Sequence, residues 1–260
     1  MKKFLLLFSA ISISLSVHAQ TETELITSTL NDYIEGSTNG QPGLLKTAFH
    51  PDLNLYSIRN GRLSIWSGVE YIKDTKEGVP TGESGKILSI DFENDVAVAK
   101  VEISNPKSTT PYIDYFMLLK IDDSWTVVHK MYTRKSSSNS DAETNLINKP
   151  LMDYIEGTSN GNQDQVRKAF HKDLNLYSIR NGQLRVWFGQ DYINGITEGR
   201  ATGRTGEILF TDFENDIAIA KAKIIIPNRD APFIDYFLMA KIEGNWSIIH
   251  KGYTIKTLDD

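Results

Sequence analysis

The chain is written twice. Asp32-Tyr33-Ile34-Glu35-Gly36 returns as Asp153-Tyr154-Ile155-Glu156-Gly157, and the stretch from Leu53 to Gly61 returns from Leu174 to Gly182. The offset of 121 positions that carries Tyr33 to Tyr154 also carries Trp66 to Trp187, Phe92 to Phe213, Trp125 to Trp246 and Tyr132 to Tyr253, with no insertion. A repeat of this length exceeds a solenoid module and suits an autonomous domain with its own core. The 260 residues therefore divide into two tandem domains, 20–135 and 143–260, joined by a small, polar linker at 136–142.

The residues ahead of the first copy read as an address. Lys2 and Lys3 precede an apolar run from Phe4 to Val17, and Val17-His18-Ala19 offers small residues where a signal peptidase cuts. That run is shorter than the roughly 20 residues that span a bilayer, and serines interrupt it. Residues 1–19 are thus expected to be a signal peptide, and the product to be exported, periplasmic or secreted, without a membrane anchor. Losing two lysines takes the net charge from -5 to -7. An acidic chain offers no field for a phosphate backbone, so no nucleic-acid partner is expected. Cysteine is absent, which excludes disulfides, thiolate metal sites and a Cys nucleophile. No Walker loop or Gly-x-Gly-x-x-Gly turn occurs, and no cofactor is expected. His50-Pro51-Asp52 and His171-Lys172-Asp173 each supply two ligands at most and read as turns, so no metal site is expected.

Within one copy, Ile26, Leu30, Tyr33 and Ile34 form the apolar stripe of a helix that Gly36 and Asn39-Gly40 close. A short helix through Leu44, Leu45 and Ala48 follows. Asn60-Gly61 between two β-rich runs signals a type I′ hairpin. A third helix is expected over Val69 to Lys76, then strands around Ile87–Ile90, Val96–Ile103, Tyr112–Ile121 and Trp125–Tyr132. Turns are expected at Glu93-Asn94, Asn105-Pro106 and Asp122-Asp123-Ser124. This ααββαββββ order predicts an α+β domain with three helices packed on a curved antiparallel sheet.

That order, with Tyr-Ile-Glu-Gly, Phe-His-x-Asp-Leu-Asn-Leu-Tyr, Ile-Asp-Tyr-Phe and Trp-x-Val/Ile-Val/Ile-His-Lys in both copies, resembles the cone-shaped nuclear transport factor two-like (NTF2-like, or cystatin-like) superfamily. Its lumazine-binding, SnoaL-like branch is the most similar. The resemblance implies a fold and leaves activity open, because the superfamily holds isomerases, dehydratases, cyclases and transport factors. Its ketosteroid isomerases build an oxyanion hole from a helix Tyr and a protonated late-strand Asp, with a separate Asp as base. On that pattern Tyr33 and Tyr154 fall at the Tyr, and Asp114 and Asp235 near the late-strand Asp. The base position reads Ser57 and Ser178, and a hydroxyl without an adjacent acceptor does not abstract a carbon-bound proton. The resemblance thus implies no catalytic residue.

Pairing across Asn60-Gly61 sets Tyr56, Ile58, Leu63 and Ile65 on one apolar face. The other face mixes Leu55 and Trp66 with Ser57, Ser64 and arginines, as a cavity wall would. Trp66 and Trp187 are accordingly expected to line a pocket, and Arg59 and Arg180 to meet an anionic ligand at its mouth. Asp114 and Asp235 sit inside apolar strands, where a carboxylate must be paired or neutral. His129 and His250 share a face with those aspartates if Asp123-Ser124 is the turn. The expectation is an exported protein whose cones bind a small, partly apolar ligand through these residues. The alternatives are a SnoaL-like isomerase, dehydratase or cyclase using Asp114 with His129, and an interaction scaffold whose repeats form an internal pseudo-dimer.

Overall fold

A computed structural model describes residues 20–136 and 141–256; the expected signal peptide at 1–19 and linker residues 137–140 lie outside the described residues. The first repeat runs α1 (Glu22–Thr38), α2 (Pro42–Ala48), β1 (Phe49–Arg59), β2 (Arg62–Ser67), α3 (Gly68–Asp74), β3 (Ser84–Glu93), β4 (Val96–Ser104), β5 (Tyr112–Ile121) and β6 (Ser124–Arg134). The second repeats that order as α4 (Asp141–Asn160), α5 (Gln163–Ala169), β7 (Phe170–Arg180), β8 (Gln183–Phe188), α6 (Gly189–Asn194), β9 (Thr205–Glu214), β10 (Ile217–Ile225), β11 (Phe233–Ile242) and β12 (Asn245–Ile255).

Local chemistry sets these boundaries. Thr21 caps α1 in a reciprocal capping box with Glu24. Asn60 and Gly61 both take positive φ, 51° and 75°, as a type I′ turn requires, and Leu55 pairs with Trp66 as the hairpin pattern predicts. The β3–β4 turn centres one residue later than expected, on Asn94-Asp95, with Asn94 supplying a φ of 52°.

Each repeat forms one six-stranded sheet, ordered β2-β1-β6-β5-β4-β3 and β8-β7-β12-β11-β10-β9. All pairings are antiparallel except the β1–β6 and β7–β12 junctions, which run parallel. The helices cover one face of each sheet. In the first repeat Ile26, Leu30 and Tyr33 pack there against Leu55, Ala99, Phe116 and Leu118. The opposite faces of the two sheets meet in a single apolar cluster, with Tyr56, Tyr115 and Met117 beside Tyr177, Tyr236 and Leu238.

Polar contacts across that junction come in pairs related by the repeat offset. Lys100 and the Tyr115 hydroxyl both reach Asp212, at 2.9 and 3.0 Å, while Lys221 and Tyr236 reach Asp91 at 2.7 and 2.6 Å. The Asp122 amide donates to the Gly182 carbonyl, and the Glu243 amide to that of Gly61, each at 2.7 Å. Such reciprocity is the signature of a two-fold contact between like surfaces.

One irregularity governs what each sheet presents. The β5–β6 register shifts between Met117 and Leu118, so that Met117 pairs with His129 and Leu118 with Val127. Val128 is therefore a bulge residue. β11 and β12 repeat the shift between Leu238 and Met239, leaving Ile249 extra.

Candidate functional site

The bulge decides which side chains face the cones. Without it, Phe116 would lie opposite His129. With it, Phe116 pairs with Lys130 and Asp114 with Tyr132, so Lys130 shares the aspartate's face. The expectation that His129 and His250 stand beside the aspartates is therefore corrected. Both lie on the opposite face, where their rings stack between the sheets with centroids 3.8 Å apart and planes within 6°. Tyr56 donates to or accepts from the His250 Nε2 at 2.8 Å. Burial, reinforced by the stacked partner, pulls His129 well below its ordinary range, and burial pulls His250 down to about 3.

In the first cone Asp114, 1% exposed, accepts from the Tyr33 hydroxyl at 2.6 Å and lies 3.0 Å from the Lys130 ammonium. In the second, Asp235 accepts from Tyr154 at 2.8 Å and from Lys251 at 2.7 Å, while Lys251 also donates to the Tyr154 oxygen at 2.8 Å. Each ammonium sits over three phenol rings: Lys130 over Tyr33, Tyr71 and Tyr132, and Lys251 over Tyr154, Tyr192 and Tyr253. A buried ion pair persists only when hydrogen bonds and favourable dipoles replace lost water, and the phenols supply both. Burial, with the adjacent carboxylate next in effect, raises Tyr33 and Tyr154 above the ordinary phenol value, so both remain donors. In each cone a single aspartate oxygen, Oδ2, meets both the phenol and the ammonium. An ion-paired aspartate differs from the unpaired acid that the isomerase pattern requires.

The remaining sequence candidates scatter. Ser57 is buried with its Oγ unpartnered. Ser178 and Arg180 line a cleft between the halves together with Asn94 and Asp95 of the first repeat. Arg59 is exposed and reaches the Tyr132 hydroxyl at 3.4 Å. Trp66 and Trp187 stack edge-on against Tyr71 and Tyr192 at the rims of their cones, both with centroids 5.2 and 5.0 Å away respectively.

A cavity of about 230 Å³ opens inside the second cone, bounded by Tyr154, Asp235, Lys251 and Arg204 and by apolar walls that include Leu176 and Phe233. Trp187, Tyr192 and Arg204 also border a rim cavity of about 410 Å³ with Arg200. The rim cavity of the first cone, about 320 Å³, is bordered by Trp66, Tyr71 and Glu83 and includes neither Tyr33 nor Asp114.

Position 204 separates the two sites. Arg204 donates to Tyr154 at 3.1 Å and to Tyr192 at 3.4 Å, and its Nε is buried without a partner. Its counterpart one repeat earlier is Glu83, which accepts from the Asn105 amide at 2.8 Å. Sequence reasoning missed Arg204, Lys130, Lys251, Tyr71 and Tyr192. The lysines carried the same signal as the aspartates, an ionisable residue inside an apolar strand, and only the unseen bulge hid their direction.

Two sheets, each wrapped on three helices around an aspartate-centred cone, define a tandem NTF2-like α+β protein. The sequence profile of the family described as "putative lumazine-binding" matches residues 21–133 and again 142–254, and the chain belongs to that family. It is similar to a protein of Cladobotryum named aldolase FrzH, at 24% identity over 115 residues, which is 43% of this chain and 90% of that one. Among solved structures, an NTF2-like protein of Shewanella baltica aligns over 46% of this chain and all of its own, with 22% identity and a TM-score of 0.39. A cystatin-like domain of Nostoc punctiforme aligns over 46% of this chain and 81% of its own, with 18% identity and a TM-score of 0.38.

Proposed function

We propose that the second cone binds a small, partly apolar molecule and holds it without transforming it, while the first cone serves as its structural partner in an internal pseudo-dimer. The observation that carries this reading is the cavity beside Tyr154, Asp235 and Lys251, polar on one side and apolar on the other. Its volume of about 230 Å³ lies below the range that houses drug-sized ligands, which favours a compact, flat molecule. Among the described residues no histidine borders the cavity, and its carboxylate, Asp235, is committed to Tyr154 and Lys251, an arrangement that suits holding a ligand better than taking a proton from one. We also assign the protein to the outside of the cytoplasm, on the strength of residues 1–19; fractionation of cells expressing the full chain checks it.

Lumazine, the bicyclic compound in the family's description, is the first probe. Calorimetric titration is expected to give one saturable site per chain, abolished by Ile224→Phe, which enlarges a side chain that borders the cavity. No saturable heat, or binding indifferent to Ile224→Phe, overturns the proposal.

The relative named an aldolase raises carbonyl chemistry as a second reading, and the presence of Lys251 on the cavity wall is the observation that favours it. An ammonium held 2.7 Å from a carboxylate has no lone pair for a carbonyl carbon. Borohydride reduction with a small aldehyde present is expected to leave Lys251 unmodified; a stable adduct on Lys251 would favour catalysis.

A further inference from the structure

Resting on the reading that the second cone holds a small molecule, we infer that this molecule is a carboxylate-bearing anion, received by Arg204, and that the first cone rejects it. Around the second cavity the charged side chains are Asp235, Lys251 and Arg204. Asp235 and Lys251 neutralise one another at 2.7 Å. Arg204 is left with two neutral phenols as hydrogen-bond partners and an unpartnered, buried Nε. One positive charge is therefore unmatched in a part-buried setting, where an uncompensated charge is costly. A planar carboxylate fits a guanidinium's parallel donors and removes that cost.

The rim supports the same sign independently. The charged residues bordering the second rim cavity are Arg200 and Arg204, with no acid among them. The first rim cavity is bordered by Asp74, Glu83 and Lys76. At the offset of 121, Arg200 replaces Val79, Arg204 replaces Glu83, and Gly195 replaces Asp74. The two cavities of the second cone share Trp187, Tyr192 and Arg204, so a cationic rim leads into the interior. Like-signed walls concentrate an oppositely charged ligand before it docks. The same approach to the first cone meets two carboxylates.

Cinnamate and cinnamamide test this, because they share size and shape and differ in charge. Calorimetry on the full chain at pH 7 is expected to show cinnamate bound at least about tenfold more tightly than the amide, the scale of one charge-assisted contact. Arg204→Gln should erase the preference, bringing the cinnamate and cinnamamide affinities together, and Arg204→Glu, which installs the residue of the first cone, should abolish cinnamate binding. Arg200→Gln should weaken only the salt dependence of the cinnamate affinity. Equal wild-type affinities, or a preference that survives Arg204→Gln in a variant of unaltered thermal stability, overturn the anion assignment and leave the cone's binding role standing. Saturable lumazine binding without saturable binding of either probe also overturns the anion assignment alone. Failure of all three molecules overturns both.

Discussion

In the first cone the ion pair of Asp114 and Lys130 is closed off by tyrosines, and Glu83 at the rim is tied to Asn105. In the second cone the matching pair opens on a cavity, and Arg204 bridges Tyr154 and Tyr192 at its edge. The buried Tyr, Asp and Lys are kept in both halves, whereas the rim changes sign. This separates two jobs that a single cone would superimpose. The ion pair with its tyrosines belongs to the architecture, since it is kept in both halves while the residues of the rim differ. On the proposed reading, the arginine belongs to whatever enters the other half.

The comparison breaks most sharply at the buried ammonium. Lys130→Met strands Asp114 beside a neutral phenol and is expected to cost about 3 to 5 kcal/mol by urea unfolding, the range for one partner removed from a buried pair. Lys251→Met is expected to cost measurably less, because Arg204 remains near Asp235 and Tyr154. Equal losses would show that Arg204 does not share the load.

A second test falls on the feature that the halves contribute jointly. Folded His129 and His250 both have lowered pKa values, so the unfolded chain binds protons more readily. The stabilisation is complete above the unfolded value near 6.5 and is lost as pH falls toward the folded values. Between pH 7 and 5.5 the pair is expected to forfeit about 2 to 3 kcal/mol. His129→Gln should roughly halve that slope in denaturation midpoints measured across this range; an unchanged slope would assign the acid sensitivity elsewhere.

Smaller effects sharpen the contrast. Tyr154→Phe removes an oxygen that meets Asp235, Lys251 and Arg204, while Tyr33→Phe removes one bonded to Asp114. The expected costs are about 2 kcal/mol and about 1 kcal/mol in unfolding free energy. Least of all, Trp125→Phe and Trp246→Phe each break an indole bond to a first-turn glutamate, Glu22 at 2.7 Å and Glu143 at 2.6 Å. Both should lose about 1 kcal/mol and, unlike the other pairs, lose it equally.

Sequence periodicity made the fold readable because repeats, turns and apolar stripes are local signals. Asn60-Gly61 declares its own turn, and the constant offset declares two domains. The buried state of Asp114 was readable for the same reason, as a charge amid apolar neighbours. Its partner was not. Strand alternation assigns faces only while the register is unbroken, and the extra residue Val128 exchanges His129 for Lys130 without leaving a mark in composition or pattern. Arg204 lay in a segment of ordinary polar residues, and its meaning depends on Tyr154 and Tyr192 approaching from two different helices.

The paired contacts across the junction have an evolutionary corollary. In a dimer of identical chains, any change at such a surface strikes twice, and a residue on the axis must tolerate its own copy. Here one chain encodes both sides, so the position that is Met131 in the first half can be Gly252 in the second, whose added Cβ would come within 2.8 Å of Val96. Fusion frees each lobe to specialise while the other keeps the shared seam intact.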